Sequence, residues 1–225
     1  AWDDSTKSIE FDASSSQYAA ASVPIYDLGA AFSVSMWLRT PTAGLSDGYY
    51  VFFSSSETTG YYARHIFYLQ KISGALYLKI QEASGTGTDR TFEALDFSVP
   101  TSPTNYINPQ YGEWQHFAVT TSSTSSAAGT IKLYINGEEE GSWAGRQWTG
   151  TPAQTKPTIG ANIMVSANSF WEGGIDQVAL YQRVLSASDV SALCGPDSYQ
   201  RKPQTPYLSS GDPIHLWAMG EYVTG

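Results

Sequence analysis

Phe32-Ser33-Val34-Ser35-Met36-Trp37-Leu38-Arg39 alternates without a break. Phe32, Val34, Met36 and Leu38 share one side of an extended chain, and the serines, Trp37 and Arg39 share the other. That period of two is the signature of a strand with one buried face. The reading extends outward from there. Tyr50 to Phe53, His65 to Gln70 and Ala75 to Gln81 read as strands, with Gly74 at the turn between the last two. Trp114 to Thr120 sets Gln115, Phe117 and Val119 against Trp114, His116 and Ala118. Ile131 to Ile135 runs into Asn136-Gly137, the strongest short hairpin signal, so a return strand is expected near Glu140 to Trp143. Thr158 to Ile163 and Gly174 to Tyr181 complete about nine to twelve strands. Alternation on most of them implies antiparallel sheets with one face in the core, and two such sheets bury each other. The chain reads as an all-β sandwich.

Helix is almost absent from this pattern. One segment, Ser186 to Leu193, has Ser186 as N-cap, Asp189 three residues later as the acid of a capping box, and Gly195-Pro196 as a stop. Thr120 to Gly129, Gly85 to Arg90 and Thr149 to Pro157 read as polar loops. After Gly195 the composition turns polar and Pro-rich through Pro196, Pro203, Pro206 and Pro213, before an apolar Ile214 to Met219. The expected division is therefore a sandwich over 1–195 and an extended C-terminal arm over 196–225, ending in a docking strand.

Composition bounds the function. The 225 residues carry 12 Lys and Arg against 21 Asp and Glu, a net charge of −9 that opposes binding to a nucleic-acid backbone. The single cysteine, Cys194, excludes an internal disulfide and Cys/His zinc modules. No apolar run approaches a membrane span, so neither nucleic acid nor membrane is an expected partner. The chain opens on Ala1 with no signal-peptide pattern, which initiator removal, precursor processing and trimming would all produce. There is no Asn-x-Ser/Thr sequon.

The motifs that carry chemistry fail on context. Gly44-Leu45-Ser46-Asp47-Gly48 matches the Gly-x-Ser-x-Gly string of serine hydrolases, but a nucleophile elbow needs a strand before it and a helix after it. Here Pro41-Thr42 precedes and a strand follows. Glu138-Glu139-Glu140 follows a hairpin turn, where like charges face water. His65, His116 and His215 lack ligand spacing, and His116 alternates with core residues. No enzyme is expected.

Five stretches, in order, resemble the laminin-G-like, concanavalin A-like jelly-roll family. They are Lys7 to Tyr18, Phe32 to Arg39, Gly112 to Thr120, Ile131 to Gly137, and Phe170 to Tyr181 followed by Val184-Leu185-Ser186. The resemblance covers roughly residues 7–193 and implies a two-sheet antiparallel jelly-roll sandwich. Ala13 stands where the family has Gly, and the apolar strand that often precedes the first motif is missing. His215-Leu216-Trp217-Ala218-Met219-Gly220 is similar to that strand; it either fills the same slot from the other end or begins a further domain. Glycoside hydrolases on this fold share a Glu-x-Asp-x-(x)-Glu strand, whereas Glu10-Phe11-Asp12 continues Ala13-Ser14-Ser15 with no second Glu.

Similar sandwiches often hold Ca²⁺ between their first and last strands. Asp176, an acid in an otherwise apolar strand, would by that resemblance be the carboxylate ligand, with Asp12 its neighbour. Sugar recognition needs aromatic platforms mixed with polar side chains. Tyr61, Tyr62 and Arg64 form one such cluster, Trp143, Arg146 and Trp148 a second, and Trp171 with Asn168 and Glu172 a third. Trp37 lies on the non-core side of its strand, either covered or exposed as a platform. Jelly-rolls without disulfides, sequons or a leader look like head-decoration or tail-adhesin domains of bacteriophages. The expected function is thus non-catalytic recognition on a virion surface, as a homo-oligomer touching neighbouring virion subunits and cell-surface glycans. The alternative is a carbohydrate-binding module or glycan-active domain of a secreted bacterial protein.

Overall fold

The computed structural model describes residues 8–20, 31–57, 63–73, 75–84, 91–98, 112–122, 129–144, 155–161, 169–195, 211, 213 and 215–217. The first strands are β1 (Ile9–Phe11), β2 (Ala19–Ala20), β3 (Ala31–Arg39), β4 (Gly48–Glu57), β5 (Ala63–Ile72), β6 (Ala75–Ser84) and β7 (Thr91–Ser98). They are followed by β8 (Trp114–Ser122), β9 (Thr130–Ile135), β10 (Glu138–Ala144), β11 (Thr155–Ile159), β12 (Gly173–Tyr181), helix α1 (Ala187–Cys194) and β13 (His215–Trp217). All the strand pairings are antiparallel, in two sheets. One sheet runs β1-β12-β3-β8-β9-β10, with β13 also on β12; the other runs β2-β11-β4-β5-β6-β7. This is the jelly-roll sandwich expected from the sequence.

The core lies between the sheets. Phe32, Val34, Met36 and Leu38 of β3 meet Phe117 and Val119 of β8, Leu133 and Ile135 of β9, and Phe52, Phe53, Phe67 and Leu69 of the facing sheet. Phe52 and Phe53 are adjacent yet both point inward, because β4 carries one extra residue between Val51 and Phe53 against Tyr68 and Phe67 of β5. A second, smaller core forms on the far side of the first sheet. There α1 lays Val190 and Leu193 over Ala118, Tyr134, Ala179 and Tyr181. The helix is built as expected: Ser186 Oγ accepts from Asp189 N–H at 3.1 Å, and Asp189 Oδ2 accepts from Ser186 N–H at 3.0 Å. Asn136 (φ 50°) and Gly137 (φ 86°) take the left-handed pair that a tight hairpin requires.

Two elements depart from the sequence reading, and a third decides an alternative it left open. β11 starts at Thr155, inside the stretch read as loop. Its Pro157 pairs with Ser55 of β4, while β2 reaches only Thr158 and Ile159, so the proline sits where β11 has a single neighbour. β7, paired with β6 from Thr91↔Ser84 to Ser98↔Tyr77, was not foreseen. β13 belongs to this sandwich: His215, Leu216 and Trp217 pair with Leu180, Ala179 and Val178. It occupies the same edge of β12 as β1, whose Ile9 and Phe11 pair with Ile175 and Gly173.

Gly173 closes this edge with φ 116°, and a Cβ there would come within 2.1 Å of the Arg39 carbonyl oxygen. Gly195 has φ 78° and open space around it. Its ψ of 172° puts it in a region essentially confined to glycine, so Gly195→Ala is expected to cost backbone strain alone, about 1–3 kcal/mol. Gly173→Ala is expected to cost at least ~2 kcal/mol more, read as the difference in urea midpoints.

Candidate functional site

The chain crosses from one sheet to the other between β1 and β2, and the residues that make this crossing form a rim. Asp12 ends β1 and caps a single 3₁₀ turn, Ala13–Ser15, accepting from Ser14 N–H at 2.8 Å and from the Ser14 and Ser15 hydroxyls. Those bonds hold its carboxyl below the usual carboxylate range, Ser14's hydroxyl first and Ser15's second. Ser16 (φ 55°) then reverses the chain, and Gln17 Oε1 takes the Asp12 N–H at 3.0 Å. Tyr18 follows with its ring half exposed (49%) and stacked on Phe170 at 6.5 Å between centroids and 30° between planes.

The opposing side of the rim is Phe170-Trp171-Glu172, which leads into β12. Trp171 N–H bonds the Gly160 carbonyl at 2.8 Å, and its ring fills the core edge-on to Phe52 at 5.7 Å. On either side of it Phe170 and Glu172 are only partly buried. Glu172 Oε2 accepts the Ala13 N–H at 3.0 Å, tying the two crossings together. Beside them Glu10 pairs with Arg39, whose guanidinium lies over the Trp114 ring at 5.0 Å.

A second polar group lies on the outer side of the first sheet, in a row across four segments. Asp176 of β12 is in register with Trp37 of β3 and Trp37 with His116 of β8, while Asn136 N–H donates to the His116 carbonyl at 2.8 Å and Asn136 Oδ1 accepts the His116 N–H at 3.0 Å. All four are buried. His116 Nε2 and Ser35 Oγ are 2.8 Å apart, and the His116 ring tilts against Trp37 at 5.3 Å. Trp37 Nε1, His116 Nδ1 and Asn136 Nδ2 have no hydrogen-bond partner among the described residues. Burial pushes the imidazole down to about 3, so it is neutral in the fold.

These positions revise the sequence reading residue by residue. Trp37 is covered (1% exposed) and is no platform. Trp171, read as a sugar platform, is fully buried, with Nε1 donating to the Gly174 carbonyl at 3.3 Å; neither ring face reaches solvent. Phe11 opposite Gly173 puts Asp12 beside Glu172, four residues of strand from Asp176, or about 13 Å. The two acids read as one metal pair are thus kept apart by register. Asp176 itself is buried (3% exposed), and its Oδ1 accepts the Gln177 N–H at 2.7 Å. Among the described residues no group of three or more His, Cys, Asp or Glu could hold a metal ion. Arg64 stands at a register shift where β5 carries one extra residue, and Trp143 pairs with Ile131. Tyr61, Tyr62, Arg146, Trp148 and Asn168 lie outside the described residues. Tyr18 and Phe170 were missed because 152 positions of sequence separate two rings that the fold stacks.

A sequence model described as the concanavalin A-like lectin/glucanases superfamily matches residues 12–191. The chain belongs to this superfamily. No curated protein sequence matches it. Solved structures of similar fold include a native heptameric SAP-like pentraxin from Limulus polyphemus, 13% identical with a TM-score of 0.54, covering 91% of this chain and 86% of the pentraxin. Another is the ligand-binding domain of botulinum neurotoxin serotype D in complex with N-acetylneuraminic acid, 19% identical with a TM-score of 0.50. That match covers 78% of this chain and 39% of the toxin chain. Domain 4 of an extracellular arabinanase from Geobacillus stearothermophilus, in complex with arabinotriose, is 22% identical with a TM-score of 0.45, covering 75% of this superfamily member and 69% of that domain. Among the described residues no helix is long and apolar enough to cross a membrane.

The buried histidine sets an acid limit on the sandwich. The unfolded chain protonates His116 below its ordinary value of 6.5, while the folded chain holds it neutral down to about 3. Stability contributed by this site is therefore complete above pH 6.5 and falls with decreasing pH through that window, by up to about 1.4 kcal/mol per pH unit. His116→Gln keeps a group that can meet Ser35 and does not titrate. The wild type is expected to lose about 2 kcal/mol more than the variant between pH 6.5 and 5.0 in urea unfolding. Equal losses would show that His116 does not set the limit.

Proposed function

We propose that this chain is a non-catalytic glycan-recognition domain acting outside the cell that makes it. The observation that carries the reading is how four of the described carboxylates on this lectin/glucanase fold are used. Glu10 pairs with Arg39, Glu139 with Lys132 at 2.8 Å, Asp189 with Arg183 at 2.9 Å, and Asp12 is saturated by its turn. A retaining glycosidase instead needs two carboxyls about 5–5.5 Å apart, one holding a proton. Ser46 is exposed in a turn that leads into β4, without the strand-to-helix geometry of a nucleophile. Cys194, the last residue of α1, is buried, and burial pushes its thiol up to about 11, in the unreactive protonated form. The N-acetylneuraminic acid in the toxin domain and the heptamer of the pentraxin lie within the range of this fold and support recognition and assembly.

Two finer readings belong to the same proposal. One is calcium held at Asp176 with backbone carbonyls. The other is display on a virion surface, with release as a secreted bacterial module as its rival.

Retention of the protein on insoluble polysaccharides, with reducing ends assayed in the same tubes, tests recognition against hydrolysis. Binding without new reducing ends is expected, and release of product would make the chain an enzyme. Repeating the assay in EDTA tests the metal: lost retention that calcium restores supports it, and unchanged retention removes it. Light scattering of the purified chain separates the settings. A symmetric oligomer that co-sediments with capsids supports display; a monomer that ignores them supports a free module.

A further inference from the structure

The rim between the sheets carries an aromatic and a carboxylate arrangement that no structural duty exhausts. Tyr18 is fixed from one side by Phe170, and half of its surface is exposed. Among the described residues its hydroxyl makes no hydrogen bond and its ring stacks on Phe170. Glu172 spends Oε2 on the Ala13 N–H, and no hydrogen bond among the described residues engages its other oxygen. The 3₁₀ turn that joins them is pinned by Asp12, Ser14, Ser15 and Gln17, so ring and carboxylate are pre-positioned. A rigid aromatic face beside a hydrogen-bond acceptor matches a pyranose, which offers C–H groups on one face and hydroxyl donors around its edge.

We infer that Tyr18, backed by Phe170, and Glu172 form the sugar contact, and that the sugar is uncharged. This rests on the glycan-recognition reading above and gives it a place and a substrate class. The charge argument is local. Asp12 is held ionised on the same turn, Glu172 faces the same rim, and Arg39 beside them is taken up by Glu10 and Trp114. A sugar carboxylate would enter against like charge, while a hydroxyl finds acceptors. The anionic sugar bound by the toxin domain is therefore the wrong class for this rim.

An array of neutral and sialylated oligosaccharides probed with the wild-type chain, followed by calorimetry on the strongest neutral binder, tests both parts. Tyr18→Ala is expected to weaken binding about tenfold and Tyr18→Phe by less than about threefold, the size of one ring contact. Glu172→Gln retains an acceptor for Ala13 and is expected to weaken neutral-sugar binding without lowering the urea midpoint. Binding of a neutral glycan that Tyr18→Ala leaves unchanged would overturn the site and leave glycan recognition standing. Preference for sialylated glycans would overturn the class. No binding to any glycan would remove the recognition reading itself, and this inference with it.

Discussion

Ile175 and Val178 are three residues apart and yet both enter the same core, which a regular strand cannot arrange. β12 meets this constraint with one extra residue: Asp176 pairs with Trp37 and Ala179 with Ser35, so three steps of β12 match two of β3. Gln177 absorbs the insertion at φ 47°. Without it every side chain after Asp176 would change sides, sending Val178 and Leu180 outward and Ala179 and Tyr181 inward. The second core under α1 needs Ala179 and Tyr181 outside, so both cores depend on the same residue. β12 also carries β3 on one side and β1 with β13 on the other, so its register reaches most of the sheet.

The polar residues divide by what the fold asks of them. On the outer side of the first sheet, Asp176, Trp37, His116 and Asn136 are sealed in, and polar atoms of the last three have no hydrogen-bond partner among the described residues. Each such atom costs on the order of 1–3 kcal/mol when nothing meets it, and a buried row of them is a natural seat for internal water. On the rim the polar groups are spent on a turn, a tie between crossings and an ion pair. Glu138, Glu139 and Glu140 are exposed along the outermost strand of the sheet, where repelling charge guards an open edge. Partial burial, and then Glu138, raise the Glu140 carboxyl, which weakens that guard as pH falls.

Local pattern carried most of the architecture. The alternation of Phe32 to Leu38, the Asn136-Gly137 turn and the Ser186/Asp189 box each encode their structure within ten residues, so they are legible in the chain. Bulges are not, because an extra residue shows only against its partner strand; Phe52-Phe53 and Asp176-Gln177 are the cases here. β7 was passed over because Thr91, Glu93, Asp96 and Ser98 mask the alternation of Leu95 and Phe97, which pair with Ile80 and Leu78. The site was harder to read. Trp171 stood beside a polar neighbour in sequence and suggested a platform, yet strand alternation sends it inward and leaves Phe170 and Glu172 outside. The burial of Asp176 was foreseeable from its apolar neighbours, whereas its distance from Asp12 depends on a register between residues more than 160 positions apart.

The shared edge of β12 has a topological consequence. β13 runs from Leu180 toward Val178, and β1 continues in the same direction from Ile175 to Gly173, so the two are segments of one line laid end to end. The three steps of β12 between them, from Val178 to Ile175, span roughly 10 Å of strand. A short flexible bridge would close that gap at little entropic cost, turning the chain into a ring with its sheets unchanged. Opened again at another connection, the ring would give a circular permutant with the same core. In this sandwich the hydrogen-bonded order of the strands and the covalent order of the chain are separable.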